Sequence, residues 1–393
     1  MRGDHPSAKG LRFSCMLVVL FLQPANGVEP HLAGMGQKIF FDTGLSQPVG
    51  QSCASCHDPK KAFSDPRPVS LGAVQGREGN RNAPSLMYAA LIPAMAVEDV
   101  YDENSELSYI IEGGLFLDGR AHDLLDQVKQ PFFEKNEMNL SGEKELAARL
   151  RRASYAPELR KAFNGADWGN DEMVAGLAYR SLVSFLREPL FRPFNARIDE
   201  FWAGKEDAIT PAEKRGLAVF ITKGECAKCH FVGTGVWPKP LLTDYGYDNL
   251  GAPSRGSKDP GLGELTKREN EMGQFRVPSL RNVALTAPYF HNGSIGTLKE
   301  LMAFYNTRDL EPKRWGKTDY PETVNHDDMG DLKMTKEEID DLVAFMFTLT
   351  DQTLLKMKPD DLLPEVAKGV PSTESARTFF ENRPDRIDPA STR

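Results

Sequence analysis

Apolar residues recur at helical spacing in several stretches of this chain, whereas alternating strand patterns are scarce. The spacing predicts helices over residues 32–41, 146–150, 173–185 and 194–201. Two further helices are predicted to begin at capping boxes, because Thr210 and Thr335 are each followed three positions later by Glu. The sequence therefore predicts a mainly α protein with long connecting loops that are rich in Gly and Pro.

Two motifs of the form C-x-x-C-H stand in the two halves of the chain. They consist of Cys53, Cys56 and His57, and of Cys226, Cys229 and His230. Two thiols at this spacing form thioethers with the two vinyl groups of one porphyrin, and the His that follows becomes the proximal ligand of the iron. The sequence thus predicts two covalently bound haem c groups and redox chemistry.

Other uses of a C-x-x-C pair are half of a zinc site and a thiol redox couple. Here a His follows each pair directly, and the two motifs contain every cysteine of the chain except Cys15. A disulfide across so short a span would also be strained. These points favour two haems over the alternatives.

The N-terminus has the pattern of a secretory signal peptide. A segment with Arg2 and Lys9 precedes a short apolar stretch at residues 13–22, and small residues at 24–27 offer a cleavage site. The stretch is too short to span a bilayer, which leaves a buried N-terminal helix as the alternative. Because bacteria attach haem c outside the cytoplasm, the mature protein is predicted to be periplasmic, without a membrane span.

Charge argues against nucleic acid as a partner. Loss of residues 1–27 would remove three basic residues and one acid, and would take the formal net charge from −8 to −10. Haem propionates would add further negative charge. A protein of this charge repels a polyanion, so we expect no nucleic-acid partner.

The motifs suggest four segments, namely a signal peptide (1–27), an N-terminal cytochrome c-type domain (28–200), a C-terminal one (201–355) and a charged tail (356–393). Each domain is expected to wrap one covalent haem in long loops. The helix after Thr335 carries apolar residues at helical spacing, which is typical of a closing helix packed across the leading helix of a small cytochrome c. The helix after Thr210 is predicted to continue to Ile221, with Gly224 as the glycine that terminates it.

Four motifs around the haem sites resemble those of the bacterial dihaem cytochrome c peroxidase superfamily. They are RNAP from Arg81, LDGRA from Leu117, FRVPSLRN from Phe275 and LTAPYFHNG from Leu285. The resemblance extends from residue 33 to residue 352 and covers most of the mature chain. It implies one haem that reacts with hydrogen peroxide and a second haem that transfers electrons.

The superfamily has two branches that differ in the second ligand of the electron-transfer haem. Peroxidases proper place a Met eighteen residues into the segment that begins Pro-Tyr-Phe-His, and counting from Pro288 leads here to Tyr305. MauG has a Tyr in this place, so the resemblance implies that Tyr305 lies opposite His230 and that the chain is MauG-like. A phenolate is a hard anionic donor that lowers the potential of the iron. Met302 and Met272 are the alternative ligands.

The first haem is expected to have an open distal side. Many peroxidases proper carry a loop His after the first motif that blocks the iron, but no His occurs here between His57 and His122. The resemblance implies that Gln127, Pro131 and Glu137 form the distal pocket, with Glu137 as the acid–base catalyst that moves a proton between the peroxide oxygens. Without the resemblance, Glu137 reads as an ordinary solvated acid.

The resemblance also implies a calcium site between the haems. The side chain of Asn82 and the backbone carbonyls of Thr286 and Pro288 match its ligands, which are hard oxygens of the kind that Ca²⁺ prefers. His291 is expected to lie beside a haem propionate and not to bind iron.

Two positions depart from the family pattern. The family commonly has a Trp between the haems immediately before Asp-Gly-Arg, where this chain has Leu117. MauG also has a Trp just before its second haem motif, where this chain reads ITKGE over residues 221–225. Because the side chains of Leu and Lys cannot be oxidised to relay an electron, electron exchange between the haems needs another route. Methylamine dehydrogenase is therefore not the expected substrate.

Three functions follow as hypotheses. The leading one is a MauG-like oxidoreductase that uses hydrogen peroxide to form high-valent haem iron and oxidises an aromatic residue, foremost Trp, of a periplasmic partner protein. The first alternative is a cytochrome c peroxidase that reduces peroxide to water with electrons from a small cytochrome or cupredoxin. The second is a non-enzymatic dihaem electron carrier with both irons fully ligated.

Overall fold

A computed structural model describes residues 30–101, 107–233 and 237–357 of the protein. Within these ranges the chain is mostly helical, as predicted, with two small antiparallel sheets of two strands each. No helix in the described ranges is both long enough and apolar enough to cross a membrane. The predicted signal peptide over residues 1–27 and the predicted tail from residue 358 onwards lie outside the described residues.

Three of the four predicted helices lie in the N-terminal half, and all three form. The helices described in this half are α1 (Pro30–Phe40), α2 (Leu124–Phe133), α3 (Glu143–Arg152), α4 (Ala156–Ala162) and α5 (Asp171–Leu186). A hairpin of β1 (Ala96–Tyr101) and β2 (Leu107–Glu112) lies between α1 and α2, with Ala96 opposite Glu112.

The C-terminal half contains shorter helices separated by long irregular loops. Its described helices are α6 (Arg197–Trp202), α7 (Pro211–Ile221), α8 (Leu262–Thr266), α9 (Leu298–Thr307), α10 (Pro312–Trp315), α11 (Lys336–Thr348) and α12 (Gln352–Lys356). Strand β3 (Tyr247–Asp248) pairs with β4 (Phe275–Arg276).

The two predicted capping boxes are confirmed, whereas one predicted helix start is wrong by three residues. Thr210 and Thr335 each accept a hydrogen bond from the amide of the Glu three positions on, and each Glu side chain accepts one in return. Helix α7 ends at Ile221, before Gly224. Helix α6 begins at Arg197 and not at residue 194, because the Asp199 carboxylate accepts a hydrogen bond from the Ala196 amide and fixes the helix start there.

In each half, the leading helix crosses a closing helix at a glycine. A β-carbon on Gly216 of α7 would lie 2.0 Å from the carbonyl oxygen of Asp341 in α11. A β-carbon on Gly36 of α1 would likewise lie 2.0 Å from the carbonyl oxygen of Ser181 in α5. Only glycine permits backbones to approach so closely. The crossing of α7 by α11 was predicted, but the closing role of α5 in the first half was not.

Two hydrophobic cores follow these crossings, and a loop of the second half packs into the first core. Ile198 of α6 already belongs to the second core, so the change of core lies slightly before the predicted division at residue 200. Leu241 is buried in the first core, and Trp237 and Tyr245 pack against it. The division into two domains remains a prediction. The structure shows in addition that the loop with Leu241, which belongs to the second half of the sequence, packs into the core of the first half.

Candidate functional site

The two C-x-x-C-H motifs adopt the same local conformation. Each begins with a short 3-10 turn, Cys53–Ser55 in the first half and Cys226–Lys228 in the second. The amide of His57 donates to the carbonyl of Cys53 at 3.0 Å, and the amide of His230 donates to the carbonyl of Cys226 at 2.8 Å. All four thiols are free of disulfides. They are therefore available for the two thioethers that each motif predicts.

Each motif histidine presents one ring nitrogen to a backbone carbonyl. Nδ1 of His57 lies 3.0 Å from the carbonyl oxygen of Phe63, and Nδ1 of His230 lies 2.9 Å from that of Leu242. Because a carbonyl can only accept, Nδ1 must carry the proton and Nε2 keeps its lone pair for a metal. Burial lowers the pKa of both rings, that of His230 to about 4, so both imidazoles are neutral at pH 7.

A large cleft lies over the second motif. It has a volume of about 1880 Å³, part of which is open to solvent, and its walls include Cys226, Cys229, His230 and Tyr305. Helix α9 carries Tyr305, whose hydroxyl has no hydrogen-bond partner among the described residues. Burial, together with the nearby Cys226 thiol, raises the pKa of this phenol. The thiols, the imidazole and an unbonded phenol thus meet in a space that fits a haem, where a bound cation would reverse the pKa shift.

The methionines named as alternative ligands lie elsewhere. Met302 is buried in the second core. The sulfur of Met272 lies against Gly263. Neither lines the cleft, whereas Met329 does. Sequence analysis missed Met329, which lies in an irregular loop without a local pattern to mark it.

The residues predicted for the first distal pocket are brought together near the first motif. Gln127 and Pro131 lie one turn apart on α2 and are both half-buried. The chain then folds back, since the amide of Met138 donates to the carbonyl of Pro131 at 3.1 Å. This turn places Glu137 close enough to Cys53 for its charge to contribute to the raised pKa of that thiol.

Glu137 itself has the environment of a proton-transfer group. Burial raises the pKa of its carboxyl, and the positive charge of Arg120 opposes this shift. Its carboxylate accepts no hydrogen bond from the residues that the structure describes. A half-buried carboxyl with an elevated pKa and a free face can both take up and release a proton.

His291 and the residues predicted to bind calcium lie in the wall of the same cleft. The His291 ring stacks on Phe275, with centroids 3.8 Å apart, and its Nε2 is buried without a partner. Burial lowers the pKa of this imidazole to about 4. A neutral ring with an unpaired nitrogen is suited to a polar group of a bound cofactor, which agrees with the prediction of a propionate neighbour.

The side-chain Nδ2 of Asn82 donates to the backbone carbonyls of Asp65 and Arg67 at 3.1 and 2.7 Å. The Oδ1 of Asn82 accepts no hydrogen bond from the described residues. Asn82, Thr286 and Pro288 all line the cleft. The described ranges contain no group of three or more His, Cys, Asp or Glu suited to a metal ion. A calcium ion here would therefore depend on amide and carbonyl oxygens.

A segment of the first half separates the two sites. The backbone of Pro84 lies within hydrogen-bond reach of His57, while Pro84 also lines the cleft that contains His230. Leu117, which occupies the place of the family's Trp, lines the cleft too, and its carbonyl accepts from the amide of Arg276 at 2.8 Å. Tyr88 and Tyr245 also line the cleft. Sequence analysis missed both, because the residues to which their hydroxyls donate are distant in sequence.

Comparison with known proteins gives consistent matches over most of the chain. The profile of the di-haem cytochrome c peroxidase family matches residues 30–207. The chain is 34% identical over 384 residues to the methylamine utilization protein MauG of Paracoccus denitrificans, which covers 87% of this chain and 96% of that protein. It is 29% identical over 374 residues to the cytochrome-c peroxidase IdrP2 of a Pseudomonas species, which covers 89% and 90%.

The fold also matches a solved structure. The diheme peroxidase BthA of Burkholderia thailandensis is similar with a TM-score of 0.75 and 31% identity, over 87% of this chain and 90% of that one.

Proposed function

Because the chain belongs to the di-haem cytochrome c peroxidase family and is thus an oxidoreductase with two haems, we propose that it acts as a MauG-like enzyme. In this proposal hydrogen peroxide is the oxidant, and an aromatic side chain of a partner protein, foremost Trp, is the electron donor. Peroxide takes up two electrons and two protons and becomes two waters, and the donor supplies both electrons. The observation that supports the MauG-like assignment is the unbonded hydroxyl of Tyr305 in the cleft of His230.

Each haem would be held by the residues of one motif. Cys53 and Cys56 would form the thioethers of the first haem, with His57 as the proximal ligand. Cys226, Cys229 and His230 would do the same for the second haem, with Tyr305 on its other side. When bound, the haems supply redox-active iron.

Proton transfer at the first site is assigned to Glu137. Its elevated pKa allows the carboxylate to accept a proton from one peroxide oxygen and return it to the other. Gln127 and Pro131 are proposed to shape the pocket and position the peroxide, since they share one face of α2. The protein itself thus provides the acid–base step on the side where no ligand side chain is expected.

Calcium binding and periplasmic location belong to the same proposal. The cleft position of Asn82, Thr286 and Pro288 supports a Ca²⁺ ion between the two haems. Removal of calcium with a chelator should alter the haem spectra, and its return should restore them. A cleavage before residue 28, determined by N-terminal sequencing of the exported protein, would support the periplasmic location.

The alternative is a peroxidase that is fed by a small cytochrome or cupredoxin. A relative named cytochrome-c peroxidase matches 89% of this chain, and MauG matches 87%. The cleft-lining thioether of Met329 offers a softer ligand that would suit this function. The two functions differ in the source of the electrons.

Peroxide turnover with matched donors tests the proposal. The holoenzyme is mixed with hydrogen peroxide and either reduced cytochrome c or a co-exported partner protein, and the partner is then analysed by mass spectrometry. Oxidation of an aromatic residue in the partner supports the MauG-like function. Steady peroxide consumption with cytochrome c alone supports the alternative, and two low-spin ferric haem signals in EPR would contradict both enzymatic functions.

A further inference from the structure

Tyr88 lies in the wall between the two candidate haem sites. It follows Pro84, whose backbone lies within hydrogen-bond reach of His57, and it lines the cleft that contains His230. Only 3% of Tyr88 is exposed, and its ring packs edge-to-face on Phe194 with centroids 4.9 Å apart. The side chain is therefore a fixed aromatic group in the cleft wall, on the segment whose backbone also reaches His57, in a chain that has Leu117 where the family has Trp.

The hydroxyl of Tyr88 has both a proton acceptor and a hydrogen-bond donor. It donates to the two carboxylate oxygens of Asp351 at 2.8 and 3.0 Å. It also accepts from the backbone amide of Phe194 at 3.0 Å. The carboxylate of Asp351 is fully buried and is held by the side chain of Asn282 at 2.8 Å and the amide of Asn195 at 3.1 Å. The phenol proton thus has a fixed base, and the phenol oxygen would keep one hydrogen bond after losing that proton.

A buried cation determines which oxidised form of Tyr88 is stable. The guanidinium of Arg281 lies 5.3 Å from the centre of the Tyr88 ring and is itself paired with Asp199 at 2.8 and 3.0 Å. A positive charge over the ring disfavours a tyrosine cation radical. Loss of an electron from this ring must therefore be accompanied by loss of the phenol proton.

We propose that Tyr88 is the redox relay between the two sites, with Asp351 as its proton acceptor. Tyr88 gives one electron towards the peroxide-oxidised site near His57 and its phenol proton to Asp351, and so becomes a neutral phenoxyl radical. An electron from the second site and the proton from Asp351 then restore the phenol. Each cycle carries one electron, so the two-electron reduction of hydrogen peroxide takes two cycles. This inference rests on the proposed peroxide-dependent function.

Other tyrosines lack one of these features. Tyr245 also lines the cleft, but its hydroxyl donates at 3.4 Å to the carbonyl of Leu91, which is not a base. Tyr155 donates to Asp42 at 2.6 Å, and Tyr179 donates to Glu143 at 3.2 Å, yet neither is among the described residues that line the cleft. Tyr155 and Tyr179 are therefore matched controls, each a buried phenol paired with a carboxylate.

The test combines rapid freezing with EPR. The diferric holoenzyme is mixed with one equivalent of hydrogen peroxide in the absence of a donor. We expect a neutral tyrosyl radical that Tyr88→Phe decreases by about fivefold or more, while Tyr155→Phe and Tyr179→Phe retain it. Asp351→Asn, which keeps the size of the side chain and one accepting oxygen but removes the base, should slow formation of the radical by about tenfold.

The outcomes separate the relay from the proposed function. If the wild-type protein consumes peroxide but the radical persists in Tyr88→Phe, or disappears in Tyr155→Phe, the relay assignment is wrong and the function stands. If the wild-type protein does not react with peroxide, the proposed function is wrong and the relay is wrong with it. A Tyr88→Phe protein with unchanged haem spectra in the resting state shows that the loss of the radical does not come from misfolding.

Discussion

His57 and His230 occupy equivalent places in the two halves of the molecule, but the side chains expected to face them differ. Each histidine follows a short turn after a leading helix and presents Nδ1 to a backbone carbonyl. The second site adds Tyr305 from α9, whereas the first site adds Glu137 from the loop after α2. The motif histidines belong to the repeated framework, whereas the side chains expected to face them come from elements particular to each half.

This division explains how one framework can support two reactivities. The helix crossings at Gly36 and Gly216 have closely similar geometry. Each also contains a pair of phenylalanine rings, with centroids 5.5 Å apart for Phe40–Phe185 and 5.2 Å apart for Phe220–Phe345. A ligand side chain at the second site favours electron transfer, and an acid at the first favours reaction with peroxide. The following changes test the shared part first and the differing parts afterwards.

Gly216→Val should have the largest effect, because its β-carbon would overlap the Asp341 carbonyl. We expect a loss of about 4 kcal/mol in the free energy of unfolding, measured by denaturant unfolding of the holoprotein. Gly36→Val should cost a similar amount in the first half. Gly34→Ala in the same helix as Gly36 is the control, because its β-carbon meets nothing within 4 Å. Equal stability of the Gly216 and Gly34 variants would show that the crossing is not close.

Glu137→Gln should slow the reaction with peroxide by about 100-fold or more in stopped-flow measurements, and should leave the resting haem spectra unchanged. Burial raises the pKa of Glu137. Its carboxyl therefore loses its proton, and becomes available as a base, only at a pH above the ordinary pKa of a glutamate. The wild-type rate should therefore rise with pH through this elevated pKa, and the variant should lose that rise. Glu172→Gln, at an exposed position of α5, is the control. Identical pH profiles would remove Glu137 from the mechanism.

Tyr305→Met should convert the second site towards that of a cytochrome peroxidase. Replacement of a phenolate by a thioether is expected to raise the potential of that haem by about 0.1 V or more, measured by spectroelectrochemistry. Tyr289→Phe is a matched control, because Tyr289 also lines the cleft but donates its hydroxyl hydrogen to the carbonyl of Val283. A Tyr305→Met protein with an unchanged spectrum would point to Met329 or another ligand.

Arg81→Lys should have the smallest effect of the four. Arg81 of the first half makes two hydrogen bonds, of 2.6 and 2.7 Å, with Asp259 of the second. Because Lys cannot form a paired contact of this kind, we expect a loss of about 1 kcal/mol in the free energy of unfolding. Lys267→Ala, which breaks an exposed pair with Glu264, should change less. A larger loss from Lys267→Ala would mean that the contact at Arg81 does not join the halves.

The features predictable from sequence are those encoded locally. The capping boxes at Thr210 and Thr335 lie within one helical turn, and each C-x-x-C-H motif carries its chemistry in five residues. The capping boxes form as predicted, and the family supports two haems, whereas haem attachment at the two motifs stays a prediction. Tyr305 was reached by counting within a resemblance, and the structure places it in the cleft of His230, although its role as a ligand stays a prediction.

The features that were missed depend on contacts between distant segments. Tyr88 and Asp351 lie 263 positions apart, and neither has a local pattern that announces the other. Met329 reaches the cleft from an irregular loop, where periodicity gives no information. The closing role of α5 was missed because its helical pattern alone does not reveal which helix it crosses.

The loop that carries Leu242 has a consequence for the order of assembly. The carbonyl of Leu242 fixes the His230 ring, yet its neighbour Leu241 is buried in the core of the first half, and Tyr245 packs against that core. The His230 ring is thus oriented by a loop that is anchored in the core of the first half. We therefore expect the second haem site to depend on the folding of the first half, so that damage to the first half impairs both sites.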